Sequence, residues 1–264
     1  MLHRLGRSAI PWALLLLASA SDSRAQSPPP TKTITLGAEL RWLPRWEGSD
    51  RLIGLPLPIF DIRPAGTPER FRSARDGLSV ALVDVGAFRA GAVGKLKLPR
   101  KESEDAALRG LGDIGWAVEI GAFAEYWWRP WLRTRAELRQ GLGGHRGVAA
   151  DVIADVVVPV TRKLTLSGGP RITLASNAAT SPYFSITPEQ ALASGLPVFD
   201  AKGGVRSFGA GTQARYAWSP RFSTNVFVEY ERLAGDAKRS PLVMERGTAD
   251  QWMFGVGASY SFDW

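Results

Sequence analysis

His145 is the only histidine beyond the first 25 residues, so Ser-His-Asp hydrolysis in this chain would have to pass through it. It stands beside Arg146 in a glycine-rich stretch, and no serine elbow occurs in the sequence. A lipid-active hydrolase therefore survives only as an alternative, one that demands loss of activity on His145→Ala. Gly141-Leu142-Gly143-Gly144 lacks the lysine of a phosphate-binding loop and the parallel βαβ setting such a loop needs, and reads as a loop tip. Glu102, Glu104 and Asp105 lie among Arg100 and Lys101 and read as a solvated loop, since a calcium cage needs more oxygen ligands at regular spacing. The chain has no cysteine, which excludes a disulfide framework and a zinc ribbon. No catalytic, cofactor-binding or metal-ligating residue is assigned, and the expectation is a protein that is not an enzyme. The charged residues that do recur in a pattern are Glu119, Glu125, Arg133, Arg135, Arg139, Asp151 and Arg171, each at alternate positions of an otherwise apolar segment.

Those segments are strands. From 114 to 128 one face carries Trp116, Val118, Ile120, Ala122, Ala124, Tyr126 and Trp128, and the other Glu119, Gly121, Phe123 and Glu125. The same period of two runs through 33–42, 132–139, 148–158 and 251–264. Several of these strands exceed ten residues, against about 5–6 in ordinary globular sheets. Aromatics gather at their ends, as at Trp42, Trp127, Trp128, Trp218 and Trp264, where a membrane barrel meets the lipid interfaces. The reading is an all-β transmembrane up-and-down barrel. Strands are placed at 33–43, 51–62, 69–75, 77–84, 87–98, 113–128, 131–141, 147–159, 163–175, 204–218, 221–234 and 249–264. Twelve strands put every tight turn on one side and every long loop on the other; ten or fourteen remain open. The long loop 176–203 contains a helix over 187–194, with Thr187 as N-cap, Pro188 in the first turn, Gln190 as box partner and Gly195 as stop.

Residues opposed across a hairpin share a face, so the charges above meet inside the barrel. Turn positions set Glu125 opposite Arg133 or Arg135, Glu119 opposite Arg139 or Gly141, and Asp151 opposite Arg171. Such a lumen is either a charged constriction or a satisfied ionic core that plugs the barrel. The second is favoured, because an unpaired charge in a narrow space is costly.

Residues 1–25 have the form of an export leader, with His3, Arg4 and Arg7 before an apolar run and Ser23-Arg24-Ala25 as the cleavage site, Ala18-Ser19-Ala20 being the second choice. Residues 26–32 form a short Pro-rich lead-in and 33–264 the barrel. Mean hydropathy of −0.09 excludes a polytopic helical membrane protein, and no later run approaches the ~20 apolar residues a membrane helix needs. The mature chain carries a net charge of +6, suited to lipopolysaccharide phosphates, while export excludes nucleic acid in practice.

The chain ends Tyr260-Ser261-Phe262-Asp263-Trp264, and the alternating Tyr260, Phe262 and Trp264 look like the signal that outer-membrane barrels present to their assembly machinery. Four further segments carry a wider resemblance. They are Trp46-Glu47-Gly48-Ser49-Asp50, the proline-containing 55–60, the Gly-Leu-rich 108–114, and 230–243 with Ser240-Pro241. In this order and spacing they resemble the MipA/OmpV family of Gram-negative outer-membrane proteins. The resemblance implies an outer-membrane barrel without enzymatic activity or cofactor. It further implies an interaction role joining a lytic transglycosylase to a penicillin-binding protein in peptidoglycan assembly, or alternatively a narrow channel for small solutes or antibiotics.

Overall fold

The computed structural model describes Thr31–Trp264, and the leader expected at 1–25 lies outside the described residues, as does most of the lead-in. Eleven strands are present: β1 (Lys32–Pro44), β2 (Leu52–Pro64), β3 (Leu78–Val85), β4 (Phe88–Lys97), β5 (Ala117–Arg129), β6 (Leu132–Gly143), β7 (Val148–Pro159), β8 (Leu164–Ala175), β9 (Gly204–Ala217), β10 (Phe222–Leu233) and β11 (Asp250–Asp263). They form one antiparallel sheet in the order β2-β1-β11-β10-β9-β8-β7-β6-β5-β4-β3, curled around a lumen.

Alternation decides which way each side chain points. On β5 and β6, Glu119, Glu125, Arg135 and Arg139 are buried on the inner face, while Ile120, Trp128 and Leu138 stand on the outer face, exposed to what surrounds the barrel. Two aromatic girdles bound this outer band. At the short-turn end Tyr126 packs on Trp128 and Tyr216 on Trp218, and each indole N–H donates to a threonine across its turn, Thr134 and Thr224. At the long-loop end Trp42 stacks on Phe254 and Tyr230 on Trp252. Trp128, Trp218 and Tyr230, which donates to Asp250, thus combine an outward apolar body with a satisfied polar tip, as aromatics at a membrane interface do.

Eleven of the twelve expected strands are found; the segment 69–75 is not one of them. Its sequence explains why. Wall alternation would turn either Arg70 and Arg72 or Glu69 and Arg75 toward lipid, and a basic residue on the lipid face costs about 2–4 kcal/mol at the bilayer midplane. With every recorded pair antiparallel, the order leaves β2 and β3 running in the same sense. Residues 65–77 therefore return from the turn end toward the loop end inside the lumen, where the charges find partners. They make the twelfth crossing that strand parity demands, by an inner route. β2 and β3 are left as unpaired edges. Pro56 and Pro58 suit β2 to that place, because each removes a backbone donor that a neighbouring strand would need.

Candidate functional site

The lumen is filled by an ion-pair network. Arg135 faces Glu125 in register and lies 3.3 Å from it. Arg133, 0% exposed, reaches Asp155 at 2.9 Å, Asp76 at 2.6 Å and Glu125 at 3.0 Å. Glu119 has Gly141 as its register partner, yet Arg139 bonds it at 2.9 Å. Arg139 also holds Glu137 at 2.5 Å and Asp151 at 2.7 Å. One expected pairing is corrected. Asp151 stands opposite Thr173, and Arg171 opposite Ile153, two residues from the expected register. Asp151 accepts from Thr173 at 2.6 Å, and Arg171 serves Asp155 at 3.0 Å and Glu229 at 3.3 Å instead. The expected turn residues were displaced by one position, because Thr161 closes the β7–β8 turn onto Leu164.

Residues 65–77 thread this network and complete it. Arg75 bonds Glu229 at 2.8 Å, contacts Glu231, and approaches Asp151 at 3.4 Å. Asp76 takes Arg133, the Ser73 hydroxyl accepts from Arg171 at 3.0 Å, and the Gly77 N–H donates to Glu137 at 3.0 Å. Arg70 pairs with Asp84 of β3 at 2.7 Å, which ties the segment to one edge of the seam. Arg75, Asp76, Glu137, Asp155 and Glu229 were not singled out in the sequence. Glu137, Asp155 and Glu229 occupy inner-face positions and could have been; Arg75 and Asp76 could not, since nothing local says that their segment turns inward.

Above the network, four long connections build a small hydrophobic core over the mouth. They carry α1 (Asn177–Phe184), α2 (Pro188–Ser194), α3 (Gly235–Arg239), α4 (Pro241–Arg246) and two 3₁₀ turns at Glu102–Glu104 and Ala106–Leu108. The α2 capping box between Thr187 and Gln190 forms as read, with Gly195 ending the helix. The core joins Trp46, Leu108, Leu111, Phe184, Leu242 and Val243, among others. Three of the four family-like segments meet here. Trp46 donates to Asp105 at 3.2 Å. Gly48 (φ +109°) lies so close to Val243 that a Cβ on it would fall 2.7 Å from the valine methyl. Ser49 is buried, Asp50 is exposed, Ser240 donates to the Phe184 carbonyl at 2.7 Å, and Pro241 opens α4. The fourth segment is the proline-bearing edge strand β2. Leu242→Ala should cost the cap about 2–3 kcal/mol; limited proteolysis should then cut within 234–248 while the heat-stable gel mobility of the barrel is unchanged.

His145 is buried, with Nε2 3.0 Å from Glu119 and its ring edge-on to Tyr183. It joins the network to the cap, and among the described residues its side-chain partners are Glu119, the Gly147 N–H and the Tyr183 ring. No cluster of three or more potential metal ligands occurs among the described residues. Between network and cap lies a cavity of about 340 Å³, lined among others by Leu55, Leu57, Lys97, Tyr183 and Arg206. Glu47 projects into it. Burial would raise its carboxyl pKa, but Arg206 at 3.6 Å and Lys97 at 3.0 Å prevail and hold it at about 2.

No curated protein matches the chain. Among solved structures, an outer-membrane channel from Pseudomonas putida F1 is similar at 11% identity and a TM-score of 0.46, over 91% of this chain and 98% of that one. The NanC porin is similar at 9% identity and a TM-score of 0.42, over 87% and 98%. A family model described as MltA-interacting protein MipA matches residues 36–262, which takes in the whole cap and all but the ends of the barrel. The chain belongs to the MltA-interacting protein MipA family.

Proposed function

We propose that this outer-membrane barrel is a non-conducting interaction protein, a scaffold whose short-turn face receives periplasmic partners. The observation that carries the reading is the lumen: a buried ionic core and an inner chain segment fill the space that a solute would have to cross. The same observation weighs against the alternative of a narrow channel for small solutes or antibiotics. The family's name records interaction with MltA, and a lytic transglycosylase is accordingly the first partner to seek, with a penicillin-binding protein as the second. The short turns support a docking role. Arg129, Arg162, Lys163 and Arg221 are all exposed there, a basic face suited to an acidic partner surface. Tyr260, Phe262 and Trp264 lie at the same end on the outer side of β11, a placement that fits presentation to barrel-assembly machinery.

Pull-down of murein hydrolases and synthases from the source cell tests the reading. We expect enrichment over an unrelated barrel, reduced at least tenfold when Arg129, Arg162, Lys163 and Arg221 are all changed to Glu. Equal recovery on both barrels would refute the scaffold role.

A further inference from the structure

β2 and β3 are not paired with each other, and near the loop end β4 also lacks a partner on that side. β3 begins at Leu78, opposite Gly94, so Lys95, Leu96 and Lys97 of β4 have no strand on their outer side. Across the gap stand Leu55 and Leu57, which are the register partners of Arg41 and Glu39 and so share their inner face. The 340 Å³ cavity touches both borders of this gap. Leu96 lines it and is 60% exposed, and since no strand pairs with β4 beyond Gly94 on that side, the cavity faces the gap in the wall. Below it the network blocks any path onward.

The inner end of the cavity is polar and under-satisfied. Tyr183 and Arg100 are both more than nine-tenths buried, yet Tyr183 Oη and Arg100 Nε make no hydrogen bond among the described residues. Lys97 Nζ and Arg206 Nη1 are ion-paired to Glu47 at 3.0 and 3.6 Å, and Lys97 Nζ also lies 3.8 Å from the centre of the Tyr183 ring. A register shift where β9 meets Thr173–Leu174 makes Arg206 the extra residue of a bulge, and this re-aims its side chain into the cavity. Leaving the buried Tyr183 Oη and Arg100 Nε without partners is expensive, and their place beside the Lys97–Glu47–Arg206 ion pairs marks a space where a ligand would satisfy them. The charge there is positive. Lys97, Arg100 and Arg206 surround the carboxylate of Glu47; Glu231 also lines the cavity and is held by Arg75, and Glu119 is engaged by Arg139 and His145, although Glu47 Oε2 and Glu231 Oε1 each lack a hydrogen-bond donor among the described residues. Over the whole lining, eight basic side chains face five acidic ones.

We propose that this cavity binds a small amphipathic carboxylate that enters sideways from the membrane between β2 and β4. Its head is received by Lys97, Arg206 and Tyr183 Oη, and its apolar body lies along Leu55, Leu57 and Leu96. The volume falls within the range of about 300–1,000 Å³ usual for small-molecule sites. This site is independent of the scaffold reading, since the turn face that would meet a periplasmic partner is at the other end of the barrel.

The test uses the full barrel in neutral-detergent micelles, with decanoate titrated by calorimetry and decanol as the uncharged control. We expect one saturable decanoate site per chain and at least tenfold weaker binding of decanol. The Lys97→Gln/Arg206→Gln double variant should lose at least tenfold in decanoate affinity with decanol unchanged. Leu57→Trp, which fills the portal, should weaken both. Arg206→Gln alone carries the same sign if the double variant does not fold by heat-modifiable mobility. Equal affinity for decanoate and decanol, non-saturable uptake, or indifference to the charge variants would overturn the proposal. Tighter binding of decyl phosphate than of decanoate would overturn the carboxylate assignment.

Discussion

A barrel whose residues 69–76 are replaced by a glycine-serine linker of equal length should conduct, whereas the intact protein should be silent in planar bilayers. The segment supplies Arg75 to Asp151, Glu229 and Glu231, Asp76 to Arg133, and the Ser73 hydroxyl to Arg171. It thereby links β6, β7, β8 and β10 through the middle of the lumen. Without it the remaining ion pairs join mainly neighbouring strands, as Arg139 joins Glu119 and Asp151. They then line a wall instead of spanning a space. An eight-strand barrel is just filled by its own side chains, and eleven strands enclose more. Water and small ions should therefore pass once the inner chain is gone. Steady conductance of the intact protein would revive the channel reading, and a silent linker variant with native heat-modifiable mobility would show that the wall charges suffice to close the barrel.

Arg139→Met should destabilise the barrel by about 3–5 kcal/mol, the usual cost of removing one partner from a buried ion pair. Arg139 is 2% exposed and is shared by Glu119, Glu137 and Asp151. Removing it leaves Glu137 to Arg135, Asp151 to Lys95 and Arg75, and Glu119 to His145. Each acid keeps at least one contact, but the positive charge at their common centre is gone. Urea unfolding in micelles would measure the loss. The double variant Arg139→Met/Asp151→Asn should be less destabilised than the sum of the single changes, because it removes one of the stranded acids together with its base. A near-neutral Arg139→Met would mean that water reaches these acids and that the lumen is open.

The inward charges were legible in the sequence because a strand's facing is a local property. Glu125 and Arg135 alternate with Ala124 and Ala136 whatever the rest of the chain does, and hairpin geometry brings them together. Register was legible only as far as turn length was. At Thr161 one misplaced turn position moved Asp151 from Arg171 to Thr173, because each residue of shift in a turn displaces the partner by two. The helix α2 was legible because its capping box lies within a few residues. The cap was not. Gly48 and Ser240 stood out only through a family likeness, and their physical role depends on contacts remote in sequence, Gly48 with Val243 and Ser240 with Phe184.

The alternation of apolar and polar residues by itself determined a membrane barrel with a charged interior, since a period of two can bury one face only if the other meets a different medium. The tertiary structure alone decided how that interior is closed. Residues 65–77 carry charges on both faces, so no lipid-facing wall can accept them. Their place became fixed only when Asp151, Arg171 and Glu229, on strands remote in sequence, were assembled around one lumen to receive them.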